Sequence, residues 1–189
     1  AVARVAALPG VERAEAMSAV PLGGGWSSGG FVPEGHDVAP GREPVAQFRA
    51  ATAGALAALG VPLVDGRWLT EAEAFDTAAT AVVVNETLAR RFWPGGRAVG
   101  RRIAVAGPAT GRRWLEIVGV ARDVKLSGVG ERPENQVWRP WGAGAGRAMT
   151  LVVRGAGAAA ADPASLAPAV RRALGEVDAA LPVERLETM

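Results

Sequence analysis

The chain has 189 residues, 49% apolar and 21% charged, with a formal net charge of +2, a composition that fits one or two folded domains. So even a charge balance excludes the basic footprint of a nucleic-acid binder. Without cysteine there is no disulfide, thiolate nucleophile or cysteine-held metal; the single histidine, His36, excludes a multi-histidine zinc site; the single lysine, Lys125, has no glycine loop before it and so excludes a P-loop.

From the first residue, 1–8 is alanine-rich and helix-prone and is stopped by Pro9-Gly10. Residues 11–20 read as a strand. The stretch PLGGGWSSGG, 21–30, reads as a surface loop, because no helix start or basic residue follows its glycines to make a phosphate cradle. The loop runs on to Pro44 and carries His36, which has no partner histidine or cysteine and is expected to be solvated. Residues 45–51 alternate Val45, Gln47 and Arg49 against Ala46, Phe48 and Ala50, the pattern of a half-buried strand. A short helix over 53–59 ends at Gly60. Asp65-Gly66 reads as a turn, and Thr70 with Glu73 as a capping box opening the next helix. The most apolar run, 50–64, is too short to cross a bilayer and is interrupted by Gly54, Gly60 and Pro62.

The segment VVVNETLARRFWPGGRAVGRRI, 82–103, offers arginine, tryptophan and a glycine break, and so poses a choice between ligand site and architecture. Ala81–Val84 reads as a strand buried on both faces, and Asn85 as the N-cap of a helix whose first turn holds Glu86. Leu88 and Phe92, four apart, share a face and are the expected anchors, while Arg90 and Arg91 suit the helix C-terminus before Pro94-Gly95-Gly96. Each residue has a structural reason to be there, so the segment reads as architecture.

Residues 101–106 and 114–120 form an expected antiparallel hairpin. VWRPW, 137–141, is a short strand that Pro140 confines to an edge or to its end. A strand is expected at 149–154, then a small-residue loop. A helix capped by Ser165 with Pro168 in its first turn follows, and a closing strand at 183–189. The chain opens as though inside a helix and closes inside a strand, so both ends read as cut. No signal peptide is visible, and any spanning helices of a parent membrane protein are expected outside this segment.

Six stretches in this order, ALPGVERAEAMSAVPLGG, LGVPLVDGRWLTEAE, VVVNETLARRFWPGGRAVGRRI, WLEIVGVARDVKLSGVGERPENQVWRPW, MTLVVRGAG and LAPAVRRALGEVDAALPVERLETM, resemble the periplasmic core domain of MacB-like and FtsX-like ABC transporter permeases, in the orphan-permease branch. The resemblance implies an α+β fold. A porter-like β-α-β subdomain would take residues 1–65 and 148–189, and an inserted mixed α/β, sabre-like subdomain would take 66–147. It implies a non-catalytic domain on the periplasmic face of the bacterial inner membrane. There it would couple cytoplasmic ATP hydrolysis to periplasmic movement, in mechanotransmission or efflux, with no cofactor or metal. The implied partners are the transmembrane helices of the same chain, a cytoplasmic ABC ATPase domain, a periplasmic adaptor or lipoprotein, and a second copy of the full-length permease; nucleic acid is not among them. Two departures from the family pattern weaken any claim for a specific partner surface: GRAVGRR stands where an Asp-Pro is common, and Trp138 and Trp141 stand where tyrosines are often found. Because the strand expected before the first helix lies outside the chain, the porter sheet is expected to have one open edge.

Trp26 and Phe31 in the glycine-rich region, with Trp138 and Trp141, are the candidate partner contacts, since aromatics commonly anchor interfaces. Core packing is the competing role for the last two. Two other function classes make different demands on the chain. A hydrolase would need two of Asp65, Asp76, Glu116 and Asp123 to meet across a substrate. A soluble small-ligand-binding module would need one deep apolar pocket with converging polar groups.

Overall fold

The computed structural model describes residues 1–21, 23, 27–106, 111–125, 132–143 and 148–188. Helix α1 (Val2–Ala6) leads through Pro9-Gly10 into β1 (Val11–Met17). Two short strands, β2 (Ser28–Gly30) and β3 (Val32–Pro33), lie where the sequence reads as loop. Next come β4 (Val45–Ala51), α2 (Ala55–Ala58), β5 (Leu63–Gly66) and α3 (Glu71–Phe75). The middle of the chain forms β6 (Ala81–Asn85), α4 (Glu86–Phe92), β7 (Arg102–Ala106), β8 (Arg112–Ala121) and β9 (Gln136–Pro140), the last followed by a 3-10 turn at Trp141–Ala143. The last third holds β10 (Thr150–Gly155), α5 (Ala158–Ala161), a 3-10 turn at Pro163–Leu166 and α6 (Ala167–Gly175). The fold is α+β, with most of its core on a sheet.

Ten strands join in that one mixed sheet, in the order β10-β1-β4-β9-β6-β8-β7-β3, with β2 on β4 and β5 on β8. Strand β9 lies in the middle, parallel to β4 and antiparallel to β6, and Pro140 is its last residue, where a missing donor interrupts nothing. One edge of β8 is shared: β7 pairs antiparallel with its first half and β5 with its end, while β6 runs parallel along the other edge. The apolar run of β6 is explained by burial on both sides. Val82 and Val84 enter one core with Phe31, Leu88, Ile103 and Ile117, and Val83 enters the opposite one with Trp138 and Leu56. A register shift against β6 leaves β8 one extra residue, so Ile117 and Val120, three apart, face the same core. A third core lies between β1 and β10 on one side and α1, α5 and α6 on the other, around Val5, Ala14 and Val170.

Three elements differ from the sequence reading. Asp65-Gly66 does not turn the chain; it ends β5, where Gly66 at φ 75° faces Gly119. A Cβ at either glycine would strike a backbone oxygen, that of Val118 or of Arg67, so the approach of β5 to β8 requires both. Helix α6 starts at Ala167 after the 3-10 turn, and Ser165 donates its hydroxyl to Asp162 O (2.6 Å) instead of capping α6. The strand expected from Val183 is absent through residue 188. Those residues are mostly exposed, with Val183 partly buried against the third core. Among the described residues β10 has β1 on one side and no strand on the other.

Candidate functional site

In the 82–103 segment most of the polar side chains are engaged by the fold. Asn85 Oδ1 accepts from Leu88 N (3.2 Å) and Gln136 N (3.0 Å), while its Nδ2 donates to Asp123 Oδ1 (2.7 Å) and Glu134 O (2.8 Å). Asp123 also accepts from Thr87 N (2.9 Å), Thr87 Oγ1 (2.8 Å) and Arg90 Nη2 (3.0 Å). The first turn of α4 is thus tied to the chain that leaves β8. Arg97 grips Asp65 with two bonds (2.9 and 3.0 Å), and Arg102 does the same to Glu34 (3.0 and 2.6 Å). These hydrogen bonds hold both carboxyls below their usual range. At the other end of α4, Phe92 sets its ring edge-on to Phe31 (5.2 Å) and His36 (5.6 Å). His36 is exposed, as expected, yet its Nε2 hydrogen-bonds to Phe92 O at 2.7 Å.

The four carboxylates weighed for hydrolysis do not form a pair. Asp65 is held by Arg97, Asp123 by the α4 hub, and Asp76 accepts from Ala78 N (2.8 Å). Glu116, exposed on β8, acts through its charge on Arg67 and Arg102. No two of them share a partner among the described residues. Nor do the described residues hold a group of three or more His, Asp or Glu that could bind a metal ion.

Of the aromatic contact candidates, Phe31 is 1% exposed and Trp138 3% exposed, each inside a core, so neither presents surface to a partner in this structure. Trp141 is half-buried at the start of the 3-10 turn that packs against α3. Trp26 lies outside the described residues. Phe75, at the end of α3, is 54% exposed and was not singled out by sequence. Its position at the close of a capped amphipathic turn looks like core from spacing alone. The backbone of Gly142 lies close against Phe75 O, which brings Phe75 near the turn carrying Trp141.

Helix α3 is fixed electrostatically. Thr70 Oγ1 accepts from Glu73 N (3.2 Å), and Glu73 Oε2 accepts from Thr70 N (2.8 Å), the expected capping box. Arg67 adds two bonds to Glu73, both 2.7 Å. Hydrogen bonding to Arg67 lowers the Glu73 carboxyl from 4.5 to about 2. A depressed folded-state pKa gives stability that is full above the unfolded value and is lost as pH falls through the folded one. Glu73→Gln is therefore expected to cost about 1 kcal/mol at neutral pH, Arg67 being open to water. The gap to the parent should close between pH 4.5 and about 2. Urea melts of both proteins at several pH values check this; a gap that persists at the acid end would assign it to lost packing.

Strand β1 meets β4 through one register pair, Met17 opposite Ala51, flanked by Ser18 N to Ala50 O and Thr52 N to Ala16 O, both 2.9 Å. Buried Glu15 braces this seam by accepting from Thr52 Oγ1 (2.5 Å) and Gly54 N (3.2 Å). Through it the β1–β10 pair, with its own helical core, joins the rest of the sheet.

A cavity of about 210 Å³ opens at one end of the central strands, between Arg113 at the start of β8 and Arg139 near the end of β9, with Val82, Val105 and Leu115 in its wall. No described helix is long and apolar enough to cross a membrane.

The family model described as the MacB-like periplasmic core domain matches residues 1–177. Among solved structures, the periplasmic region of MacB from Actinobacillus actinomycetemcomitans is similar at 15% identity with a TM-score of 0.65, over 93% of this chain and 72% of that one. A domain of a putative permease protein from Porphyromonas gingivalis is similar at 20% identity and a TM-score of 0.57, over 89% of this chain and 65% of that one. The extracellular domain of the noncanonic ABC-type transporter YknZ from Gram-positive bacteria is similar at 14% identity and a TM-score of 0.50, over 74% of this chain and 60% of that one. The chain thus spans less than two thirds of the length of the last two. No curated protein matches it.

Proposed function

The chain belongs to the MacB-like periplasmic core domain family, the extracytoplasmic domains of ABC transporter permeases, and on that premise we propose that it passes ATP-driven movement to the periplasm by pivoting at the seam between β1 and β4. The observation that carries this reading is the narrowness of the strand pairing at the seam, a single register pair, beside which Met17 and Val152 reach into the core around Trp138 while β1 and β10 carry a separate helical core on their other face. The proposed division follows the sequence expectation. Residues 1–65 with 148–189 form a porter-like unit and 66–147 an inserted unit, and the seam falls inside the porter-like unit, whose β4 and β5 pair with β9 and β8 of the insert. The domain contributes no chemical step. Its partners are the membrane helices of the parent permease and the ATPase that drives them, with an adaptor or lipoprotein and a second permease as further members. Trp141 and Phe75 form the patch proposed to meet a periplasmic partner, with Trp26 as a third aromatic in the family of contacts.

Met17 and Ala51 are opposed with their backbone hydrogen bonds on the neighbouring residues, the antiparallel geometry in which side chains come closest. Cysteines placed at both positions fit a disulfide, and the chain contains no other cysteine. In the full-length permease with its ATPase, oxidation of the Met17→Cys, Ala51→Cys pair is expected to suppress transport-coupled activity, and reductant to restore it. Full activity in the cross-linked protein would remove the pivot.

A further inference from the structure

The two arginines of the cavity differ from those that the fold pairs with acidic side chains. Arg67, Arg90, Arg97, Arg102 and Arg122 each reach a carboxylate. Arg113 and Arg139 reach none among the described residues. Arg113 gives its Nη2 to the carbonyl oxygens of Ala79 (2.8 Å) and Thr77 (3.5 Å). Arg139 lies with its guanidinium 5.4 Å from the centre of the Phe48 ring, and its Nε is buried without a hydrogen-bond partner. Burial, and then the charge of Arg113, push the Arg139 guanidinium below its usual range. Two like charges therefore converge on one partly dry cavity, an arrangement that costs free energy unless an anion joins them.

We propose that this cavity is a binding site for a small carboxylate that carries a short apolar group. A planar carboxylate matches the guanidinium fork and supplies the counter-charge that neither arginine finds among the described residues. Val82, Val105, Leu115 and Pro140 offer the rest of the ligand an apolar wall. The volume of about 210 Å³ lies below the roughly 300–1,000 Å³ typical of drug-sized ligands, which sets the ligand at the size of a short-chain acid. Inorganic phosphate would present more charge to that apolar wall and is the weaker ligand.

Titration of the isotope-labelled domain with butyrate, acetate and inorganic phosphate, at ionic strength held constant with chloride and followed by amide chemical shifts, tests the site. Saturable shifts are expected at Ala79, Arg113, Arg139 and Ala143. Butyrate should bind about fivefold or more tighter than acetate, because its extra methylenes meet the wall. Arg139→Met, which keeps the stem and removes the charge, should weaken butyrate about tenfold or more while leaving the melting temperature unchanged or higher. If that variant fails to fold, Arg113→Met serves in its place with the same expected loss. Linear shifts spread over the surface arginines, a phosphate affinity equal to that of butyrate, or undiminished binding in the methionine variant would each overturn the proposal.

Discussion

Trp138→Ala is expected to lower the free energy of unfolding by about 3–5 kcal/mol. Trp138 is 3% exposed in the middle of the sheet, opposite Arg49 on β4 and Val83 on β6. Its ring fills a core with Met17, Leu56, Leu69 and Val118, side chains drawn from β1, α2, the segment before α3 and β8. No single neighbour can move into the space it would leave, because each is anchored in a different element. Chemical denaturation measures the loss directly. A change below about 1 kcal/mol would mean that the site collapses freely, and Trp138 would then return to the list of partner contacts. Trp141→Ala, three residues on and half-buried, is the matched comparison. It should change stability little and, if the proposed patch is real, weaken a partner complex.

Asp123→Ala should cost about 2–4 kcal/mol. This carboxylate receives four donors, from Asn85, Thr87 twice and Arg90, and its side chain is only 17% exposed. Its removal strands the Thr87 amide, a helix N-terminal donor that Asn85 does not serve, and leaves the Asn85 side chain with one bond fewer. Because the donors act through one acceptor, the effects are not additive: Thr87→Val should cost far less in the Asp123→Ala background than alone. Equal costs in both backgrounds would show that Thr87 and Asp123 stabilise the protein separately. Asp123→Asn, which keeps one acceptor oxygen in place, should fall between parent and alanine.

What the sequence disclosed here was local. The caps at Thr70 and Asn85, the helix stop at Pro94 and the doubly buried valines of β6 are legible because cause and effect lie within a few residues of one another. The ordered family resemblance added the fold and the place of the domain in a permease. Strands β2, β3 and β5 were hidden because they owe their existence to distant edges, β4, β7 and β8, and their own residues carry little strand signal. Arg49 read as the polar face of a half-buried strand, yet it is 3% exposed, opposite Trp138 of β9, a neighbour that nothing local to β4 announces. The cavity was hidden for the same reason. Arg113 and Arg139 stand on β8 and β9, which are not neighbours in the sheet, and nothing near either one in sequence marks it as facing the other.

The central position of β9 orders events during synthesis. Strands β4 and β6 both leave the ribosome, and on translocation the membrane, well before β9, yet neither can be paired on its inner edge until β9 arrives. Strand β1 waits longer still, since most of its pairing is with β10. The nascent domain therefore carries unpaired apolar strands through most of its emergence, the state in which chains associate with one another. Closure comes late and from the middle outward. A chain interrupted anywhere before Gln136 would lack not a peripheral piece but the strand on which both halves of the sheet converge.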